Sequence, residues 1–523
     1  MNLLKIILAS MLVSFFCYAQ TAETIEKLIA FENFNEAKNT AINWLNKEPK
    51  NAEAYFWAGK VFLAAKNVDS AAIFFNKGFE VNPKFPYSLA GKVSVAFLKN
   101  DAGAVPQLVA DARDIAGRKD SRLFIELAAA YLNAPDAERV VKVEELAAEA
   151  VKYDRKNYRI YMVLGDLYNI NPQTTSQAVE NYQKAIDYDK GALRAYIQRA
   201  AVYEYVDNLS EALTQYVRVM AIEPTYPVVY QKMAEMFYKA KDWIRADTTY
   251  ALYMKYTEPA LDKMKRGVII SYSAKNYKGS IEKIKQVLAL DPKDALNTRL
   301  LAYSYFELND SVASKESFES YFRQTEKEKT VAKDYDRYGK LLSRFGKDSL
   351  AIISYKTAFG MDSTRTDLIS ESGKILFRQK KWKEVQAIIE PLITKYPESA
   401  GFFDFLFLGQ SYFFDTAYVS AKSAFERMTV KFPTSYVGFL WLAKTCTFVS
   451  PDVKEGIAKP AYEKVVELLT DKVKGKKFLV EAHSYLGFYY LKNGDNEKSK
   501  LEWLAIIELD PENQQAKDNL ARI

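Results

Sequence analysis

The sequence predicts an all-α solenoid, built by stacking helical hairpins end to end. Three observations carry this reading. The chain has 523 residues, more than one compact core usually holds. Glycine (20) and proline (16) are scarce for that length, which favours regular structure over long loops. The chain also resembles itself. Tyr196 to Pro224 reads YIQRAAVYEYVDNLSEALTQYVRVMAIEP, and Tyr55 to Pro83 reads YFWAGKVFLAAKNVDSAAIFFNKGFEVNP. In both stretches an aromatic, a small residue, a second aromatic, an alanine, a third aromatic and a closing proline stand at matching distances.

Residues 1–19 read as a cleaved signal peptide. Lys5 and the amino terminus supply a short positive region, and Ile6 to Phe16 form an apolar run too short to span a bilayer. Cys17 and Ala19 place small side chains where a signal peptidase needs them, so cleavage is expected after Ala19. A retained anchor and acylation of Cys17 are the alternatives, although Phe16 is bulky where a lipobox wants a small residue. Cleavage would leave Cys446 as the one cysteine and allow no internal disulfide. No other run is apolar for the roughly eighteen residues a membrane span needs, so none is expected in the mature chain.

Residues 20–523 divide into roughly fourteen units of about 34 residues. A small residue at the eighth position recurs as Gly59, Gly165, Ala200, Ala234, Ala302, Gly339, Gly373, Gly409, Ala443 and Gly487. A large side chain sixteen residues later recurs as Phe75, Tyr182, Tyr216, Tyr250, Phe318, Tyr355, Phe425 and Trp503. Closing prolines are Pro49, Pro83, Pro224, Pro292, Pro397, Pro433 and Pro511. The 3.6-residue period puts positions 4, 8 and 11 on one face of a first helix A, and 20, 24 and 27 on one face of a second helix B. Small residues let the two helices approach, and the large ones fill the remaining space. Proline ends helix B because it cannot donate the next backbone hydrogen bond.

This pattern resembles the tetratricopeptide repeat (TPR), a helix–turn–helix unit of exported bacterial proteins among others. The resemblance covers nearly all of residues 20–523. It implies a solenoid whose A helices line a groove, with positions 2, 5, 9, 12 and 13 pointing into it, and a role in protein binding and complex assembly. Irregular units are expected near 86–142 and 449–460. Within the first, AGAVPQLV stands where a helix B should start, and Asn133 to Lys142 reads as a lengthened connection. The unit around Gly267 lacks aromatic packing residues. The last stretch, near 512–523, reads as a polar capping helix, which an open solenoid end requires.

Catalytic candidates are few. The only histidine, His483, occupies a position where other units carry Tyr or Phe, and Cys446 falls on the inward face of its helix A. Both read as packing residues, so no zinc site, no Cys–His nucleophile and no cofactor are expected. The basic runs RQKKWKE and DKVKGKKF are interleaved with acids and the formal charge is only +7, so no nucleic-acid partner is expected.

The remaining candidate is Gly401 to Tyr418, GFFDFLFLGQSYFFDTAY. Asp404, Gln410 and Asp415 interrupt it, so it is not a membrane segment. Aligned on Gly409, the repeat uses Phe405, Leu408 and Tyr412 for its own core. The resemblance then places Phe403, Leu406, Gln410, Phe413 and Phe414 together in the groove. It adds Arg299, Lys333, Lys340 and Arg344, with Arg159 and Arg194, as groove cations partly balanced by Asp166, Glu204, Glu235 and Asp336. An apolar end beside a mixed-charge centre suits a partner peptide or helix. The alternative is that a neighbouring unit covers the patch. The expected function is a non-catalytic protein-binding scaffold of a bacterial envelope or outer-membrane complex, in the periplasm. Its rival is a peptidoglycan- or polysaccharide-binding subunit using exposed Tyr and Trp.

Overall fold

The computed structural model describes residues 20–117 and 119–523, and every regular element among them is helical. The signal-peptide reading and Cys17 lie outside the described residues. Two compact units follow one another, one ending at Pro292 and the other running from Lys293 to Ile523.

Each hairpin forms as the spacing requires. An added Cβ on Gly59 would stand 2.4 Å from the Phe75 ring, and one on Gly409 would stand 2.4 Å from Phe425. Gly165 meets Tyr182, Gly339 meets Tyr355 and Gly487 meets Trp503 in the same way. Position 8 is small because the ring from position 24 already occupies the space of its side chain. Phe75, Tyr216, Phe318, Phe425 and Trp503 are accordingly fully buried. Gly373 meets Ile389, an aliphatic residue playing the aromatic's part.

Helix ends follow from local chemistry. Pro49, Pro83, Pro224, Pro292, Pro397, Pro433 and Pro511 each stand two residues beyond a B helix, such as Val68–Val81 before Pro83. Between helix A and helix B the chain passes through a left-handed residue: Lys66, Asp207, Lys241, Lys275, Asn309, Lys380 and Thr416 all have φ between 57° and 63°. An Asn or Asp often follows and caps helix B, as Asn67 does by accepting from Ser70 N and Asp242 by accepting from Arg245 N. Of these left-handed residues only Thr416 is β-branched, the side chain that tolerates the conformation least.

Three irregularities take a different form from the sequence reading. AGAVPQLV does start a helix B, because the 3₁₀ turn Ala102–Ala104 leads directly into Val105–Ala116. Asn133 to Lys142 is not a lengthened connection. Helix Asp136–Tyr153 has already begun within it, so the extra residues lengthen the helix. In the Gly267 unit, Tyr250 from the preceding hairpin lies 3.2 Å from the Cβ position of Gly267, and Tyr272 meets Tyr277 edge-on across the unit's own turn, so aromatic packing is present there after all. Lys283 holds the position of the missing ring and reaches the Asp247 carboxylate at 3.1 Å. Near 449–460 a 3₁₀ turn, Val453–Glu455, separates helices Tyr436–Val449 and Lys459–Leu468. The last helix, Gln514–Arg522, buries Ala516 beside Trp503 and Ile506.

Candidate functional site

The densest feature of the second unit is a strip of aromatic rings running over three successive hairpins. It begins on helix Phe402–Phe414, where Phe403 meets Phe402 at 5.5 Å and Phe407 at 5.7 Å between ring centroids. Phe407 stacks on Phe377 at 4.4 Å, at the end of helix Asp367–Arg378. Phe377 meets Trp382 at 5.2 Å, and Trp382 meets Phe414 at 5.1 Å. Phe414 touches Phe413 and Trp441, and Phe413 touches Phe448 at 5.1 Å. Phe448 stacks on Tyr418 at 4.9 Å and closes the strip.

The geometry follows from the hairpin. Phe377, Phe414 and Phe448 sit at or near the ends of three A helices, and Trp382 and Tyr418 begin the B helices that follow. Residues flanking a tight left-handed turn are held close, so rings placed there meet across it. Phe405 and Leu408 are buried as the repeat requires, while Tyr412 is half-buried and donates to Glu390. Asp404 is also buried, and its carboxylate accepts from Gly401 N at 2.8 Å, capping the helix rather than facing outward.

The strip is not covered. Phe403 is 63% exposed, Phe448 53% and Phe414 46%. Among the predicted residues, the structure therefore brings Phe413 and Phe414 into direct contact and links Phe403 to them through Phe407, Phe377 and Trp382. Leu406 and Gln410 are half-buried on the same helix and Leu406 packs against its core. Sequence reasoning missed Phe377, Trp382 and Phe448. The signal was present as aromatics at matching turn positions of adjacent units. Lys380, Lys381 and Lys383 flank Trp382 and are exposed; none of the three is in an ion pair among the described residues.

The predicted groove cations are arranged differently. Lys340 pairs with Asp336 at 2.9 Å, and Arg365 shares the same carboxylate. Arg344 lies over the Phe306 ring and reaches Ser311, Lys333 lies over Tyr303, and Arg299 is half-buried close to Tyr303 and Tyr321. In the first unit Arg194 pairs with Asp166 and Arg159 with Glu26. Glu235 takes Arg266, and Glu204 accepts from the Tyr216 hydroxyl. Most of these charges serve neighbouring hairpins.

No group of His, Cys, Asp and Glu suited to a metal occurs among the described residues. His483 is half-buried with Nδ1 2.6 Å from Glu502. Cys446 is buried, and that burial pushes its thiol above the usual range. No described helix is long and apolar enough to cross a membrane.

The sequence profile of the tetratricopeptide repeat matches residues 28–78. Over 49% of this chain, and 98% of the other, 32% of residues are identical to the C-terminal part of a TPR repeat-containing protein from Cytophaga hutchinsonii, with a TM-score of 0.39. The chain belongs to the TPR family. A TPR protein from Parabacteroides merdae is 18% identical over 49% of this chain and 98% of its own, with a TM-score of 0.29. PilF of Pseudomonas aeruginosa is 15% identical over 46% and 92%, with a TM-score of 0.28. No curated protein matches the chain. TPR solenoids generally bind other proteins, and this chain's fold is of that scaffold type.

Proposed function

We propose that this protein is a non-catalytic scaffold of a bacterial cell envelope, and that the second unit captures a partner segment on its aromatic strip. The observation that carries this reading is the strip itself, with Phe403, Phe414 and Phe448 about half or more exposed in a continuous run of rings. Burying three phenylalanines contributes roughly 1.5–3 kcal/mol each when complete. Association costs about 4–15 kcal/mol, so the strip acts as a hot spot inside a larger footprint. The exposed Lys380, Lys381 and Lys383 favour a partner peptide or helix whose apolar face is flanked by carboxylates.

The polysaccharide reading is the weaker one. Sugar platforms present open Trp or Tyr faces. Here Trp441 is stacked on Phe425, with an 18° interplanar angle, and Trp382 lies against Phe414.

Export to the periplasm rests on the sequence of residues 1–19. N-terminal sequencing of protein from its native cells should begin near Gln20, and an intact Met1 would overturn export by cleavage. The binding reading is tested by purifying tagged wild-type protein and the variant Phe403→Ser/Phe414→Ser/Phe448→Ser from cell envelopes. A defined protein should accompany the wild type and be absent from the folded variant. Retention of the same protein by the variant would move the site elsewhere, and cell-wall material in its place would favour the rival.

A further inference from the structure

The start of the first unit touches residues far along the chain. Helix 20–30 and its turn meet a face built from five later segments. Glu26 pairs with Arg159 at 2.5 Å, 133 residues away. Lys27 pairs with Glu223 at 3.1 Å. Phe31 packs edge-on against Tyr226 at 5.3 Å. Glu32 accepts from the Tyr253 hydroxyl at 2.9 Å and from Lys263 at 3.1 Å. Glu258 accepts from Asn35 N and Glu36 N, capping helix Phe34–Lys47, whose own Asn33 makes no side-chain cap.

We infer that this face of the first unit is a binding site for a helix and its turn, and that the chain's own residues 20–32 occupy it as a detachable ligand. The site is independent of the aromatic strip on the second unit. Two features make it a binding site rather than an ordinary hairpin contact. Its charges are complementary along the segment: carboxylates Glu26 and Glu32 meet Arg159 and Lys263, and Lys27 meets Glu223. Its aromatic anchor, Phe31, seats on a ring from a different hairpin.

Detachability follows from what holds the helix. Within 20–30 only Ile25 is fully buried, with Ala22, Leu28 and Ile29 partly buried against the same core, whereas helix Ala52–Ala64 buries seven residues. The Arg159–Glu26 pair is 41% and 42% exposed, and Lys27 is 61% exposed, so solvent screens both bridges. Segments held mainly by solvent-exposed contacts open locally at low cost. Released, it uncovers Arg159, Lys263, Tyr226 and Tyr253. Two cations and two phenol rings fit an acidic helix followed by a turn, with one carboxylate on the helix and an aromatic and a second carboxylate in the turn, as Glu26, Phe31 and Glu32 are placed here.

The test keeps the whole chain. The variant Glu26→Lys/Phe31→Ser/Glu32→Lys releases the resident helix and leaves its receptor face intact. A fluorescent peptide of residues 20–36 is then titrated against it by anisotropy. The variant should bind the peptide at least tenfold more tightly than the wild-type chain, where the tethered copy competes. A receptor carrying Arg159→Glu as well should lose that binding and regain it for a peptide with Glu26→Arg. Absence of peptide binding by a variant with wild-type helicity would overturn the inference. Hydrogen exchange on the unaltered protein decides even if the variant misfolds. Amides of 20–30 should exchange faster than those of hairpin 52–81, and equal protection would show a fixed part of the core.

Discussion

In the first unit, Glu126 is 17% exposed and receives Lys60 at 2.8 Å, while Glu53 holds Arg122 at 2.6 Å from two hairpins away. In the second unit, Phe403 is 63% exposed and Phe448 53%, and the rings around them touch one another across three hairpins. Both units are built from one hairpin with one packing rule. They differ in what the repeat leaves over. The first unit spends its spare side chains on contacts with itself, and the second leaves a run of rings at the surface. A shared scaffold thus supports a region whose charged side chains are largely paired within it and one that leaves rings exposed, and the proposed partner site lies on the second.

The largest effects should come from the shared scaffold and be similar in both units. Gly59→Val and Gly409→Val each drive a side chain into a ring that stands 2.4 Å from the Cβ position. Each should cost about 3 kcal/mol in denaturant unfolding. A large difference between the two would break the idea of one packing rule.

Next come the ion pairs of the first unit. Burial works against the Glu126 charge, but Lys60, Arg122 and Arg159 outweigh it and hold its carboxyl below the ordinary value of 4.5. A depressed folded-state value means stabilisation fully present above about pH 4.5 and lost as the pH falls below it. Glu126→Gln should therefore cost about 2 kcal/mol at neutral pH, by leaving Lys60 short of its counter-charge. That difference should shrink towards pH 3, as urea titrations at several pH values would show. A constant difference would contradict the account.

The strip should separate binding from folding. Phe403→Ser and Phe448→Ser remove exposed rings and should change stability by less than about 1 kcal/mol. Phe413→Ser should cost about 2 kcal/mol, because Phe413 packs against Phe414, Tyr418, Trp441 and Phe448. Thermal melts of the three single variants check this ordering. Smallest of all is the effect at Thr416, held at φ 63° between Phe414 and Tyr418. Thr416→Gly should stabilise by only about 0.3 kcal/mol, since glycine adopts this conformation without strain but loses more chain entropy on folding.

The hairpin was legible in the sequence because its cause is local. Gly409 and Phe425 stand sixteen residues apart, and the helical period with one turn brings them together in every unit that carries the pair. Prolines were equally readable, since their chemistry acts on the next hydrogen bond. The strip was half legible. Phe403, Phe413 and Phe414 announce themselves on one helix, but Phe377 and Phe448 matter only once consecutive turns are set side by side. Least legible was the pairing of Glu26 with Arg159, or of Glu258 with the start of helix Phe34–Lys47. Such contacts depend on small rotations accumulated over many repeats, which no single unit encodes. The same accumulation explains why Arg159 and Arg194, read as groove cations, face intramolecular carboxylates.

The most direct test is the affinity of the proposed partner, once co-purified, for three purified proteins. These are the wild type, Phe403→Ser/Phe414→Ser/Phe448→Ser in the second unit, and Glu53→Gln/Arg122→Gln in the first. Calorimetry should show the strip variant weakened at least tenfold, about 1.4 kcal/mol or more, and the first-unit variant within about twofold of wild type. Unchanged affinity for the strip variant, with loss in the first-unit variant, would contradict the division between a self-satisfied and a binding region.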